Sequence, residues 1–227
     1  MRFSDRVAAG RQLGAALHAY RQRKDVLVLA LPRGGVPVAA QVARELQAPL
    51  DLLLVRKLGV PGQEELAMGA IATGGAMVLN QDLVEMLGIG AETIEATKAV
   101  ESRELARRQL AYRGERPFPE LQDRCVIVVD DGVATGATMR AGVAALRQHR
   151  PKRLVIAVPV APPDTLAVLR QSADEVVCLA TPSPFYGVGA WYEDFSQTSD
   201  EEVREILLAA WTQPATPSRE QPRPGLG

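Results

Sequence analysis

Two short loops in this chain of 227 residues carry residue types that suit chemistry on anions. The first is Asp130-Asp131-Gly132-Val133-Ala134-Thr135-Gly136-Ala137-Thr138, directly after the apolar run Cys125–Val129. Glycines free its backbone, and a helical pattern starts at its end. N–H groups at that helix start, with the Thr135 and Thr138 hydroxyls, would cradle a phosphate dianion. Carboxylates cannot bind phosphate directly, so Asp130 and Asp131 suit the hydroxyls of a sugar or the waters around Mg²⁺. A phosphate cradle preceded by paired acids fits a sugar phosphate better than a nucleoside triphosphate. The loop has no lysine, which excludes the GxxxxGK[ST] phosphate loop, and no GxGxxG follows the first apolar run. The second loop is Leu31-Pro32-Arg33-Gly34-Gly35. Its glycines let the backbone approach an anion, and Arg33 gives forked donation to phosphate oxygens. Arg56-Lys57, closing the neighbouring apolar run, would bring two more cations to the same edge, as a second and more highly charged anion such as pyrophosphate requires.

Positioning these loops is the task of five strand-length apolar runs: Val26–Leu31, Leu50–Val55, Cys125–Val129, Leu154–Val160 and Glu175–Leu179. Helical patterns separate most of them, over VAAQVAREL, Thr138–His149 and Thr165–Gln171. Continuous Val/Ile/Leu runs without polar alternation mean strands covered on both faces, hence an α/β fold with a five-stranded parallel sheet and helices on both faces. Wound in the order 2-1-3-4-5, such a sheet has its switch point between the first and third strands. Ligands bind beyond the strand ends at that crevice, where both loops would meet. An insertion over about 58–116 interrupts the pattern. It contains an expected hairpin, Met68–Ile71 with Ala76–Leu79, then helices near Asp82–Leu87 and from Glu92 to Tyr112. Residues 1–211 read as one domain, and the proline-rich stretch 212–227 as a disordered tail.

The run VIVVDDGVATGAT resembles the phosphoribosyl-pyrophosphate (PRPP) signature of type I phosphoribosyltransferases: apolar strand, two acids, then a TGxT-type phosphate loop. The resemblance extends to LPRGG, to Arg56-Lys57, and more loosely to PFYGVGAWYEDF, which is similar to the hood over the base in purine enzymes. The run RGGVPVAAQVARELQAPLDLLLVRKLG also resembles a bacterial subgroup of predicted phosphoribosyltransferases. The resemblance implies that Ala134, Thr135, Gly136, Ala137 and Thr138 hold the 5′-phosphate and that Asp130 and Asp131 hold the ribose hydroxyls. Arg33, Gly34 and Gly35 would meet pyrophosphate, assisted by Arg56 and Lys57. Arg33, Lys57 and the two acids would form the catalytic set. Phe185, Tyr186 and Trp191 would form an acceptor hood, built from the N-terminal segment and residues 181–205. Mg²⁺ would be carried by PRPP itself, bridged through water to Asp130 and Asp131. The implied reaction displaces pyrophosphate from C1′ by a small-molecule acceptor, with the insertion as a lid that excludes water. A homodimer is compatible with the resemblance. Ala134 stands where 6-oxopurine enzymes carry an aspartate, a departure that points away from hypoxanthine and guanine.

Other features bound the reading. The 26 basic residues balance 27 acidic ones, which argues against a whole-domain nucleic-acid surface. No run reaches the ~20 apolar residues of a membrane span. The N-terminus lacks the apolar core of a secretory signal, and Cys125 and Cys178 read as reduced thiols in buried strands, which places the protein in the cytoplasm. Each functional feature also has a plain structural counterpart. Gly/Thr loops cap helices, Arg33-Gly34-Gly35 suits a tight turn, Arg56-Lys57 suits solvated strand-end charges, and the hood aromatics suit packing of a terminal segment. His18 and His149 read as surface residues. Two rival functions stay open: a PRPP-sensing regulator of the same fold, and an enzyme acting on another ribose-5-phosphate ester.

Overall fold

The computed structural model describes residues 2–212. Its centre is a parallel sheet built from β1 (Val26–Ala30), β2 (Leu50–Leu52), β6 (Cys125–Val129), β7 (Arg153–Val160) and β8 (Glu175–Ala180). The order β2-β1-β6-β7-β8 is the expected 2-1-3-4-5 winding. Strand side chains alternate between two apolar layers, which explains their unbroken hydrophobic runs. Val26, Val28, Ala30, Ile127 and Val155 face the layer covered by α1 (Arg6–Ala16), α2 (Gly35–Leu46) and α7 (Asp200–Thr212). Leu27, Leu29, Val126, Val128 and Ile156 face α5 (Ala137–Arg147) and α6 (Pro163–Ser172).

The second apolar run divides where it was expected to stay whole. β2 ends at Leu52, and Val55–Val60 forms β3 of a separate antiparallel sheet, order β3-β4-β5, with β4 at Gln63–Ala72 and β5 at Met77–Leu79. Arg56 and Lys57 are therefore paired with Ile71 and Ala70 rather than ending a parallel strand. Thr73 makes the division: its buried hydroxyl accepts from Leu54 N–H at 2.9 Å, capturing the chain just as it leaves the main sheet. The β4–β5 hairpin matches expectation, with Ala70 opposite Val78. The segment 61–75 is mostly strand; its tip, Pro61–Leu66, and the turn at Gly74-Gly75 are exposed.

The rest of the flap comprises α3 (Gln81–Met86) and the long α4 (Ala91–Arg113). Arg113, at the end of α4, is fastened to the sheet by a buried ion pair, donating to Asp51 at 2.9 Å and to the Pro117 carbonyl at 2.8 Å. Helix α7 lies in a segment without an expected helix. In α7 the buried positions Val203 and Leu207 are four apart, so one narrow stripe docks on the core while the charged remainder stays wet. The expected tail falls outside the described residues, except Thr212, which ends α7.

Candidate functional site

β1 and β6 lie side by side at the switch point, and the loops leaving their C-terminal ends touch. Leu31 N–H donates to the Val129 carbonyl at 2.9 Å, stitching the two loops at their roots. The Pro32–Arg33 peptide is cis, and Gly34 then passes beside Asp131. A Cβ on Gly34 would lie 2.0 Å from Asp131 Oδ2, and one on Gly35 2.8 Å from the Val129 carbonyl, so neither position has room for a side chain. The glycines expected to let backbone approach a ligand are thus also required for backbone to approach the acid pair.

The acids differ in environment. Asp131 is buried, and its Oδ2 accepts from Arg6 Nε at 2.8 Å. Arg6 also donates to the Ser196 carbonyl at 2.6 Å and lies 4.0 Å over the Phe195 ring, so it links α1, the hood and the acid pair. Asp130 Oδ1 accepts from Asp131 N–H at 2.9 Å. Burial, reinforced by the adjacent Asp131 charge, pushes the Asp130 carboxyl well above the ordinary carboxylate range. Burial also raises Asp131, but Arg6 opposes that rise. Two adjacent carboxyls in this setting resist double ionisation, and Arg6 makes Asp131 the better anion.

The loop from Asp130 to Thr138, expected to hold phosphate, has the backbone its residue types demand. Gly136 holds the left-handed conformation (φ 76°) as the N-cap of α5, and Ala137 and Thr138 open that helix. The first N–H groups of α5 lack helical acceptors and carry the positive end of its dipole. Ala134, Thr135, Ala137 and Thr138 are all exposed at the crevice. Thr165, from α6, donates its hydroxyl to the Ala134 carbonyl at 2.6 Å and holds the loop from outside. Val133 N–H donates to the Val160 carbonyl at 2.9 Å, which anchors the other side to β7.

The N-terminal segment packs against residues 185–195, where the hood was expected. Phe3 bridges to Tyr192, with Phe3 N–H donating to the Trp191 carbonyl at 2.8 Å. Tyr192 donates its hydroxyl to the Asp131 carbonyl at 2.5 Å, tying the hood to the acid loop. Phe185 and Trp191 pack against Phe3 and Tyr192, while Tyr186 stands 83% exposed. The buried Trp191 Nε1 has no partner among the described residues.

Not every expected site residue gathers at the crevice. Asp130, Asp131, Arg33–Gly35 and Ala134–Thr138 do. Arg56 and Lys57 do not: Arg56 is engaged by Glu101 of α4 at 2.7 Å, Lys57 lies 3.9 Å from Glu65, and both line a 410 Å³ cavity between the flap sheet and α4. The cause is the departure of the chain from the main sheet after Leu52. His18 is exposed as expected, but His149 is half-buried against Phe118 at 5.9 Å. Cys125 is buried, whereas Cys178, on edge strand β8, is half-buried; both are free thiols. Arg6, Tyr192 and Thr165 carry no motif that singles them out. Only the folding of the two chain ends over the acid loop, and of α6 beside the phosphate loop, brings them to the site.

A five-stranded parallel sheet wound in the order β2-β1-β6-β7-β8, with two loops meeting at its switch point, defines a doubly wound α/β class. Residues 5–192 match the family model described as the phosphoribosyl transferase domain, and the chain belongs to that family. It is 51% identical over 205 residues, 90% of its length, to a Mycobacterium tuberculosis protein named "Putative phosphoribosyl transferase". The chain spans about half (46%) of that relative's length. The crystal structure of a Thermus thermophilus protein, TT1426, is 44% identical and superposes with a TM-score of 0.83, covering 92% of this chain and 99% of the other.

Proposed function

We propose that the chain transfers the 5-phosphoribosyl group between PRPP and a small-molecule acceptor, with pyrophosphate as the other product. The observation that carries this reading is the crevice itself. A phosphate cradle (Thr135–Thr138), a carboxylate pair (Asp130, Asp131) and a Pro32–Gly35 loop meet within one connected network. In this reading, α5 N–H groups and the two threonines hold the 5′-phosphate. Asp131, whose ionisation Arg6 favours, accepts from ribose hydroxyls, and Asp130 would join it where the positive charge of a PRPP-borne Mg²⁺ favours its ionised form. Arg33 and the backbone of Gly34 and Gly35 receive the diphosphate.

The acceptor's lone pair forms a bond to C1′ as the C1′–oxygen bond breaks, and the electron pair leaves with pyrophosphate. The chain contributes chiefly by fixing both ends of the donor and neutralising charge on the leaving group. Asp130 and Asp131 are the residues that would hold a Mg²⁺ arriving with PRPP. Among the described residues, no cluster of three His, Cys, Asp or Glu side chains offers a dedicated metal cage. Such an ion supplies further neutralisation of the diphosphate. The experiment is a screen of nucleobases and small amines with PRPP and Mg²⁺, following pyrophosphate release. Release dependent on one acceptor class supports transfer. PRPP binding without turnover on any acceptor overturns it in favour of a sensor.

A further inference from the structure

Arg33 lines a 290 Å³ cavity that it shares with α4, the flap helix. Arg107, Arg108 and Tyr112 of α4 line it, and Asp200, at the start of α7, closes one side. Three arginine side chains thus line one cavity beside the Pro32–Gly35 loop. Glu104 orients two of them, accepting from Arg107 Nε and Arg108 Nε, each at 2.8 Å. The carboxylate already in the cavity makes a loose contact: Asp200 Oδ1 is 3.7 Å from Arg33 Nη1 and accepts from the Tyr112 hydroxyl at 2.5 Å.

We infer that Arg107 and Arg108 complete, with Arg33, a binding site for the diphosphate end of PRPP and for free pyrophosphate, which Asp200 occupies as a stand-in when no ligand is bound. The inference rests on the PRPP reading above and extends it to the flap. A single carboxylate satisfies one arginine poorly, whereas a diphosphate offers enough oxygens to accept from Arg33 and from the N–H groups that Glu104 leaves free on Arg107 and Arg108. Burial and the neighbouring Asp200 raise the Tyr112 phenol to about 12, so it keeps its proton and can donate to a phosphate oxygen once Asp200 withdraws. Because α4 belongs to the flap and α7 packs on the main body, the ligand would replace an internal contact across the cavity by one that holds the flap to the Pro32–Gly35 loop. It also gives the flap the anion-binding role that Arg56 and Lys57, turned toward Glu101 and Glu65, do not fill in this structure.

The test is titration calorimetry of the intact chain with Mg²⁺–pyrophosphate, Mg²⁺–PRPP and ribose 5-phosphate. The side chains of Arg107 and Arg108 are 67% and 43% exposed, so Arg107→Gln plus Arg108→Gln leaves the fold intact. That variant should bind pyrophosphate and PRPP roughly tenfold more weakly or worse, and ribose 5-phosphate unchanged. Asp200→Asn, which removes the competing charge, should bind pyrophosphate severalfold more tightly. Unchanged pyrophosphate affinity in the arginine variant, looser binding in Asp200→Asn, or no pyrophosphate binding by the wild type overturns the assignment. Pyrophosphate binding that depends on Arg107 and Arg108, in a chain that transfers to no acceptor, sinks the transfer reading but leaves this site standing.

Discussion

Gly34→Ala tests how the two crevice loops depend on each other. The added methyl would lie 2.0 Å from Asp131 Oδ2 and 2.6 Å from its Cγ. Restoring an ordinary ~3.5 Å separation requires Asp131 to retreat by roughly 1.5 Å. The 2.8 Å bond from Arg6 cannot survive that shift in its present form. A charge-assisted bond is worth ~1.5–3 kcal/mol, so losing it, together with the misplaced carboxylate, should weaken PRPP binding roughly ten- to a hundredfold. The same overlap should lower the melting temperature by a few degrees, at ~2–4 °C per kcal/mol for a chain of this size. Calorimetry with Mg²⁺–PRPP and a thermal melt read both effects. Gly90→Ala is the control, because a Cβ there meets nothing within 4 Å. A Gly34→Ala protein that binds PRPP within about twofold of wild type would refute the coupling of the loops.

Four further outcomes are expected. The Asp130 pKa is raised by folding, so this residue stabilises the unliganded fold most fully below its unfolded pKa of 3.8, and that contribution is lost as pH rises through the higher folded value. Asp130→Asn should therefore raise the melting temperature at neutral pH and flatten its decline with pH, as measured by calorimetric scans. Arg113→Leu leaves Asp51 buried and uncompensated and should destabilise by ~3–5 kcal/mol in urea unfolding, with Asp51→Asn in the same background restoring part of the loss. In hydrogen exchange without ligand, Pro61–Leu66 should exchange much faster than Met68–Thr73, and Mg²⁺–PRPP should slow exchange at that tip; an unchanged tip would deny it a lid role. Because Ala134 offers only a methyl group where an acceptor proton would need a base, hypoxanthine and guanine should be poor acceptors, with turnover far below the ~1–10³ s⁻¹ usual for enzymes.

The main sheet was legible because its strands are buried on both faces, and Cys125–Val129 or Val26–Ala30 have no alternative but a two-sided core. The start of α5 was legible because Gly136, in the left-handed conformation just before the helix, is a local requirement of that turn. Arg56-Lys57 was misplaced because an apolar run records burial but not which sheet buries it. The decision to leave the main sheet after Leu52 is made by Thr73, far along the sequence, through its bond to Leu54. Arg6 and Asp200 carry no signal in the sequence for a similar reason. Each is an ordinary charge in an amphipathic stretch, and its partner is set only when the chain ends fold over the crevice.

Binding of Mg²⁺–PRPP to the wild-type chain and to the Asp130→Asn plus Asp131→Asn variant tests the central claim most directly. Removing two charge-assisted contacts at ~1.5–3 kcal/mol each should weaken binding at least a hundredfold, with the far-ultraviolet circular dichroism unchanged. Equal affinity in the two proteins would contradict the assignment of the acid pair to PRPP, and with it the proposed reaction at this crevice.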